Sequence, residues 1–253
     1  MTYSPRTRLF IEAPLTPGAV IEAAEGQAHY LMHVMRAKAG EDVALFNGRD
    51  GEWGAKIAYP AKRKVHLEVG ERLRAQYTEP DVWMVFAPVK RIEFLVEKAT
   101  ELGARALHPV FTRRTTIGRV NRARLLANAI EAAEQSDRLS VPEIPEAAQL
   151  FDVLGAWPKE RTLYFLDETG GGAPIVEVFA AARSYRTVKK PLAFLTGPEG
   201  GFDQSELDAL RGLPFAVPVG LGPRILRAET AALAALACWQ AFCGDWTYPG
   251  DEG

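Results

Sequence analysis

The sequence predicts an α/β protein: a parallel sheet with helices on both faces, preceded by a small β-barrel. Three observations predict it. Residues 1–75 alternate short apolar runs with turn formers, whereas from about residue 80 strand-like and helix-like segments alternate. Within that second part a hydrophobic strand, 191–196, runs straight into three glycines in five positions, at Gly197, Gly200 and Gly201. At 253 residues and 47% hydrophobic, the chain is long and apolar enough to bury a substantial core.

In the first part, residues 8–11, 43–46, 53–57 and 65–69 read as strands, with Asn47-Gly48 and Asp50-Gly51 as hairpin turns. One short helix is expected over 29–36. Residues 71–80 form the linker, so the predicted domains are 1–75 and 76–253. In the second part, strands are expected at 81–87, 106–111, 162–166, 191–196 and 215–219. Helices are expected at 92–102, closed by Gly103, then at 122–135, 175–183, 205–211 and 228–242. The last is nearly all apolar and must be covered on more than one side. Its alanines permit close helix approach, and Trp239 with Phe242 offers an anchor for a partner surface; burial within one subunit is the other reading.

Lys plus Arg is 30 against Asp plus Glu 32, a formal net charge of −2 that excludes a bulk polycation but not local patches. Arg105, Arg113, Arg114, Arg119, Arg122 and Arg124 occur with no acidic residue between Glu101 and Glu131. Such a block suits a polyanion, because guanidinium pairs with phosphate in a bidentate fork; a solvated helix face carries the same spacing. No run approaches the 18 or so apolar residues of a membrane span. The N-terminus lacks a signal-peptide apolar core, and Cys238 and Cys243 point in different directions along one helix. A cytoplasmic protein without disulfides is expected.

The chemistry is expected at the carboxyl ends of the strands, where an open α/β sheet forms its ligand crevice. After the glycine loop, Asp203 and Glu206 form a capping box that starts the next helix. A second loop, 219–227, also joins a strand to a helix, but Ile225 stands where a dinucleotide fingerprint needs its third glycine. The chain has no Walker lysine loop, no His-Glu-x-x-His and no Cys-x-x-Cys. His29 and His33 share a helix face without a third ligand, so surface or RNA contact is expected of them rather than metal binding.

The two loops, Gly197-Pro198-Glu199-Gly200-Gly201-Phe202 and Leu221-Gly222-Pro223-Arg224-Ile225-Leu226-Arg227-Ala228-Glu229-Thr230-Ala231, resemble the signature pair of the SPOUT methyltransferases. More narrowly, the chain is similar to the family that methylates N3 of a uridine in 16S ribosomal RNA. The narrower likeness is carried by residues 90–103, by Glu131 to Arg138, by Arg6, Arg8 and Phe10, and by His29 to Arg36. It spans nearly the whole chain, and departs at Asp137 and Ala228, where a smaller residue and a Thr or Ser are expected.

The resemblance implies a PUA-like RNA-binding barrel, a trefoil-knotted C-terminal domain, S-adenosylmethionine as cofactor, no metal, and a homodimer with shared active sites. Cofactor binding is then expected of Leu195, Thr196, Gly197, Gly200, Gly201, Val219, Leu221, Gly222, Ile225, Leu226 and Arg227. RNA contacts, to 16S rRNA within the small ribosomal subunit, are expected of Arg6, Arg8, His29, Arg36, Lys90, Arg91, Arg113, Arg114, Arg122, Glu134, Gln135 and Arg138. N3 of uridine is a weak acid and must lose its proton, so a base or anion-stabilising cations are required. Glu199, Arg138 and Arg227 are the catalytic candidates, with their individual roles open. A SPOUT enzyme acting on a ribose 2′-hydroxyl or guanine N1, and a ribosome-assembly factor without turnover, are the alternatives.

Overall fold

A computed structural model describes residues 7–61, 64–184 and 190–247. Arg6, one of the expected RNA contacts, lies outside the described residues. The chain forms two compact units, Met1–Thr78 with Ala133–Val141, and Glu79–Ala132 with Pro142–Gly253.

The N-terminal unit is a five-stranded sheet. Its strands are β1 (Arg8–Phe10), β2 (Val20–Glu22), β3 (Asp42–Phe46), β4 (Glu52–Ala61) and β5 (Lys64–Arg74), in the order β1-β3-β4-β5-β2. β1 lies parallel to β3 and the remaining pairs are antiparallel. Alternation puts Trp53, Ala55 and Ile57 of β4 and Val65, Leu67 and Val69 of β5 into one core with Leu9, Leu31, Val43 and Leu45. The expected helix at 29–36 is instead α1 (Glu25–His29) followed by a π-helical turn, Tyr30–Val34. Gln27 reaches back to the Ala24 N–H and starts the helix earlier, and Arg36 then leaves it at φ +52°.

One ion cluster holds this unit together. The buried Glu52 carboxylate accepts from Arg8 Nε at 2.6 Å and from Arg74 Nε at 2.7 Å. Arg8 spends its remaining donors on the carbonyls of Ala133, Glu134 and Arg138. Burial alone would raise the Glu52 carboxyl, but the two guanidiniums hold it below the usual carboxylate range. Phe46 packs with Ala133 and Leu139, so the 133–141 segment completes this core. Asp137 sits at φ +60°, a left-handed conformation that Asp adopts more readily than most residues.

The C-terminal unit carries seven parallel strands: β6 (Val82–Phe86), β7 (Ala106–Phe111), β8 (Ala148–Gln149), β9 (Thr162–Leu166), β10 (Ala173–Pro174), β11 (Leu192–Thr196) and β12 (Ala216–Gly220). Their order is β10-β12-β9-β11-β6-β7-β8, with the wholly buried β11 at the centre. Among the described residues six α-helices accompany them: α2 (Ile92–Glu101), α3 (Arg122–Gln135), α4 (Leu150–Gly155), α5 (Ile175–Ser184), α6 (Gln204–Arg211) and α7 (Ala228–Cys243). α3 runs from this unit into the 133–141 segment. One face of the sheet packs Leu150, Leu154, Leu207 and Leu210 of α4 and α6 on Val85, Leu163, Phe165 and Leu195. The other carries Phe179, Tyr164 and Phe194 in mutual edge-on and tilted contacts, with α2, α5 and α7 packed together.

Trp239 of α7 is 2% exposed, so it belongs to the core of its own unit and is not the partner anchor its sequence suggested. Gln240, equally buried, donates to the Leu102 carbonyl and accepts from the Asp245 N–H. Near the start of the sheet, the Trp83 ring stacks on His108 at 4.5 Å and on the Arg161 guanidinium at 3.6 Å. Burial, then the Arg161 charge, push the imidazole down to about 4.

Candidate active site

The registers place Phe165, Leu195 and Pro218 level on neighbouring strands, so the loops after β9, β11 and β12 emerge together at one edge of the sheet. The loop after β11 folds on itself: Gly201 N–H donates to the Pro198 carbonyl at 2.9 Å, and Phe202 turns inward. A Cβ on Gly197 would stand 3.1 Å from the Phe202 ring. Gly201 has φ +67°, and a Cβ there would collide with the Glu168 carboxylate. These two glycines are thus required first by the packing of the loop itself.

Glu168 accepts the Phe202 N–H, and burial followed by the neighbouring Asp167 push its carboxyl up. Asp167, although buried, is held down by Thr169 and by Arg211, whose Nη2 donates to it at 2.7 Å. Past the glycines, the expected capping box is present, with Asp203 accepting from Ser205 and Glu206 Oε2 accepting from the Asp203 N–H at 2.9 Å. The other oxygen of the buried Glu206 takes the Arg113 N–H at 2.8 Å. Arg114 Nη1 donates to the Gly200 carbonyl at 3.0 Å. One helix-capping carboxylate therefore ties the arginine segment after β7 to the glycine loop.

Beside Gly200 lies a cleft of about 370 Å³ lined by Lys90, Arg91, Arg114, Thr116, Glu199, Gly200, Arg227 and Glu229. Four cations thus face two carboxylates. Glu199 is exposed, and its Oε1 accepts the Lys90 main-chain N–H at 3.3 Å. Glu229, in the first turn of α7, is buried; its Oε1 receives no hydrogen bond and has Arg91 Nη1 at 3.7 Å. The Thr196 hydroxyl at the end of β11 is likewise buried without a partner. Among the described residues no cluster has the make-up of a metal site, and the His29 and His33 rings simply lie 4.7 Å apart.

The sequence matches a family model described as an RNA methyltransferase domain over residues 77–240, and one described as an RNA methyltransferase PUA domain over 24–70. It is 32% identical to ribosomal RNA small subunit methyltransferase E of Rickettsia conorii over 233 residues, 91% of this chain and 93% of that protein. The chain belongs to this methyltransferase family. The Bacillus subtilis protein of the same name is 29% identical, with 83% and 86% of the two chains covered. Among solved structures, ribosomal RNA small subunit methyltransferase E from Neisseria gonorrhoeae, bound to S-adenosylmethionine, is 26% identical with a TM-score of 0.84, covering 95% of this chain and 99% of that one. A Legionella pneumophila methyltransferase in complex with the same cofactor is 29% identical, also with a TM-score of 0.84, over 94% and 98%.

The fold gathers only part of the residue set that the family resemblance suggested. Thr196, Gly197, Gly200, Gly201, Leu221, Gly222, Leu226 and Arg227 sit on the converging loops, with Ile225 almost wholly exposed there. Leu195 and Val219 are fully buried strand residues, so only their main chains can face a ligand. Lys90, Arg91, Arg113, Arg114 and Arg122 are exposed in the C-terminal unit, and His29 and Arg36 in the N-terminal one.

Arg8 requires correction as an RNA contact, because its donors are spent on Glu52 and three carbonyls and its side chain is 8% exposed. Arg138 is buried at 5%, with Nη2 on the Ser140 hydroxyl, and is not among the residues that line the cleft described above. Glu134 accepts the Phe10 N–H, while Gln135 stays exposed. Glu229 and Glu168 were missed. Glu229 stands inside the second signature loop, but nothing in the sequence marks it as a buried carboxylate beside the cleft.

Proposed function

We propose that this chain transfers a methyl group from S-adenosylmethionine to N3 of a uridine in 16S rRNA of the small ribosomal subunit, acting as a cytoplasmic homodimer. Its relatives carry the rRNA methyltransferase name, and two structural neighbours hold the cofactor. The observation that carries the reading is the cationic cleft beside the glycine loop: the combination of four cations and a buried carboxylate suits a base that must become an anion before it reacts.

The residues fit the cofactor. A sulfonium ligand needs apolar surface and main-chain partners rather than a phosphate cradle, and the loops offer Leu221, Ile225, Leu226, main chain at Gly197 and Gly222, and the unpartnered Thr196 hydroxyl. When bound, the cofactor supplies an electrophilic methyl group. Lys90, Arg91 and Arg227 would stabilise negative charge on the uracil oxygens, while Glu199 fixes the loop through the Lys90 N–H. His29, Arg36, Arg113, Arg114 and Arg122 would hold rRNA phosphates. The PUA-like barrel and the trefoil knot belong to the same proposal. The knot is supported by a strand order in which β11 inserts between the earlier β9 and β6.

Nucleoside mass spectrometry of 16S rRNA from a strain lacking the gene tests the reading. N3-methyluridine should disappear and return on complementation. Its persistence, or the loss of a different modified nucleoside, would refute the assignment.

A further inference from the structure

We propose that Glu229 is the catalytic residue that both recognises the target base and takes its proton: its Oε1 accepts the uracil N3–H in the cleft. The inference rests on the function proposed above and names the group that function requires.

Two carboxylates line the cleft, and they differ in kind. Glu199 is exposed and already engaged, since its Oε1 accepts the Lys90 main-chain N–H at 3.3 Å. Glu229 is only 4% exposed, and Oε1 is buried with no hydrogen bond. Proteins seldom leave a buried carboxylate oxygen without a donor, because desolvation goes uncompensated. Arg91 Nη1, at 3.7 Å, offers charge but not a bond. A donor brought into the cleft that Glu229 lines would supply the missing partner.

Uracil presents one ring N–H between two carbonyls on its pairing edge. With N3–H on Glu229 Oε1, the flanking O2 and O4 would face a lining that includes Lys90, Arg91, Arg114 and Arg227. Cytosine has a lone pair at N3, which a carboxylate repels, so the contact also sets base choice. As the new N3–carbon bond forms, the N3–H proton passes to Glu229, and the pair that held it becomes the N3 nucleophile. The methyl–sulfur bond breaks with its electrons staying on sulfur. The positive charge lost there balances the proton gained by the carboxylate.

The methylated position is first mapped in 16S rRNA from the complemented strain, where N3 methylation blocks pairing and stops reverse transcription. Cofactor-free protein is then titrated with that RNA and with the same RNA carrying cytidine at the target. Wild type should prefer uridine at least tenfold, and the Glu229→Gln variant by no more than threefold. In turnover, Glu229→Gln should lower kcat at least 50-fold, with cofactor affinity by calorimetry and thermal midpoint close to wild type. A smaller fall in kcat, or a wild type indifferent to uridine against cytidine, overturns the proposal. The second measurement needs no variant, so it holds even if Glu229→Gln misfolds. If wild type modifies an atom other than N3, the function proposed above fails, and this inference with it.

Discussion

Replacing Gly201 by alanine isolates what the glycine loop demands of its own backbone. The position has φ +67°, which an L side chain adopts at a cost of about 1–2 kcal/mol. The new Cβ also meets the Glu168 carboxylate, which must move away and give up the Phe202 N–H. A hydrogen bond to a charged acceptor contributes about 1.5–3 kcal/mol, and the lower end applies because Glu168, although its carboxyl is partly desolvated, keeps contact with solvent. Gly201→Ala should therefore destabilise the protein by about 3 kcal/mol in urea unfolding, and Glu168→Ala by about 1.5. The double variant meets no collision and should lie about 1 kcal/mol or more below the sum of the two. Strict additivity would show that the carboxylate does not occupy the space the glycine leaves. Loss of cofactor binding in a bulky Gly201 variant would then reflect a distorted loop. Gly200→Ala is the cleaner probe of ligand space, because its Cβ meets only the Arg114 side chain, at 3.9 Å.

Glu52→Gln should destabilise the protein by about 3 kcal/mol in the same assay, because two guanidiniums lose a buried counter-charge; an effect under 1 kcal/mol would remove the cluster from the core of the N-terminal unit. His108, held near 4 against an ordinary 6.5, contributes stability that is present above pH 6.5 and lost as pH falls toward 4, about 3 kcal/mol in all. Urea midpoints measured between pH 7 and 4.5 should fall in wild type and flatten in His108→Gln; parallel curves would refute the assignment. Removing Arg113 and Arg114 together should reduce the magnitude of the log–log salt slope of rRNA binding by about 0.7–0.9 per lost phosphate contact. Arg8→Ala should leave that slope unchanged while lowering stability, and an altered slope would return Arg8 to the RNA surface.

The sequence was most legible where periodicity and boundary signals agreed. β7 and β9 and the 14-residue α3 lie where they were expected, and Gly103 closes α2 at φ +85°. β2, β8 and β10, at two or three residues each, are too short to show a period and exist only through their partners. Arg8 shows the deeper limit. A guanidinium suits a phosphate and a cluster of carbonyls equally well, and the carbonyls that take it lie 125 to 130 residues along the chain. The glycine loop joins β11 to α6 where the sequence placed it, but the reason for its glycines was only half visible. Ligand space can be inferred from glycine content, whereas the Phe202 ring over Gly197 and the carboxylate against Gly201 appear only in the fold.

Because residues 133–141 complete the N-terminal unit, its assembly is coupled to the order of synthesis. On the translating ribosome, the first 78 residues emerge without the carbonyls that anchor Arg8 or the Leu139 side chain that packs on Phe46. The unit must wait for more than fifty further residues, and the ribosomal tunnel delays their exposure again. A fragment cut at the end of β5 should therefore behave as an unfinished sheet. A useful excision would graft 133–141 back through a short linker.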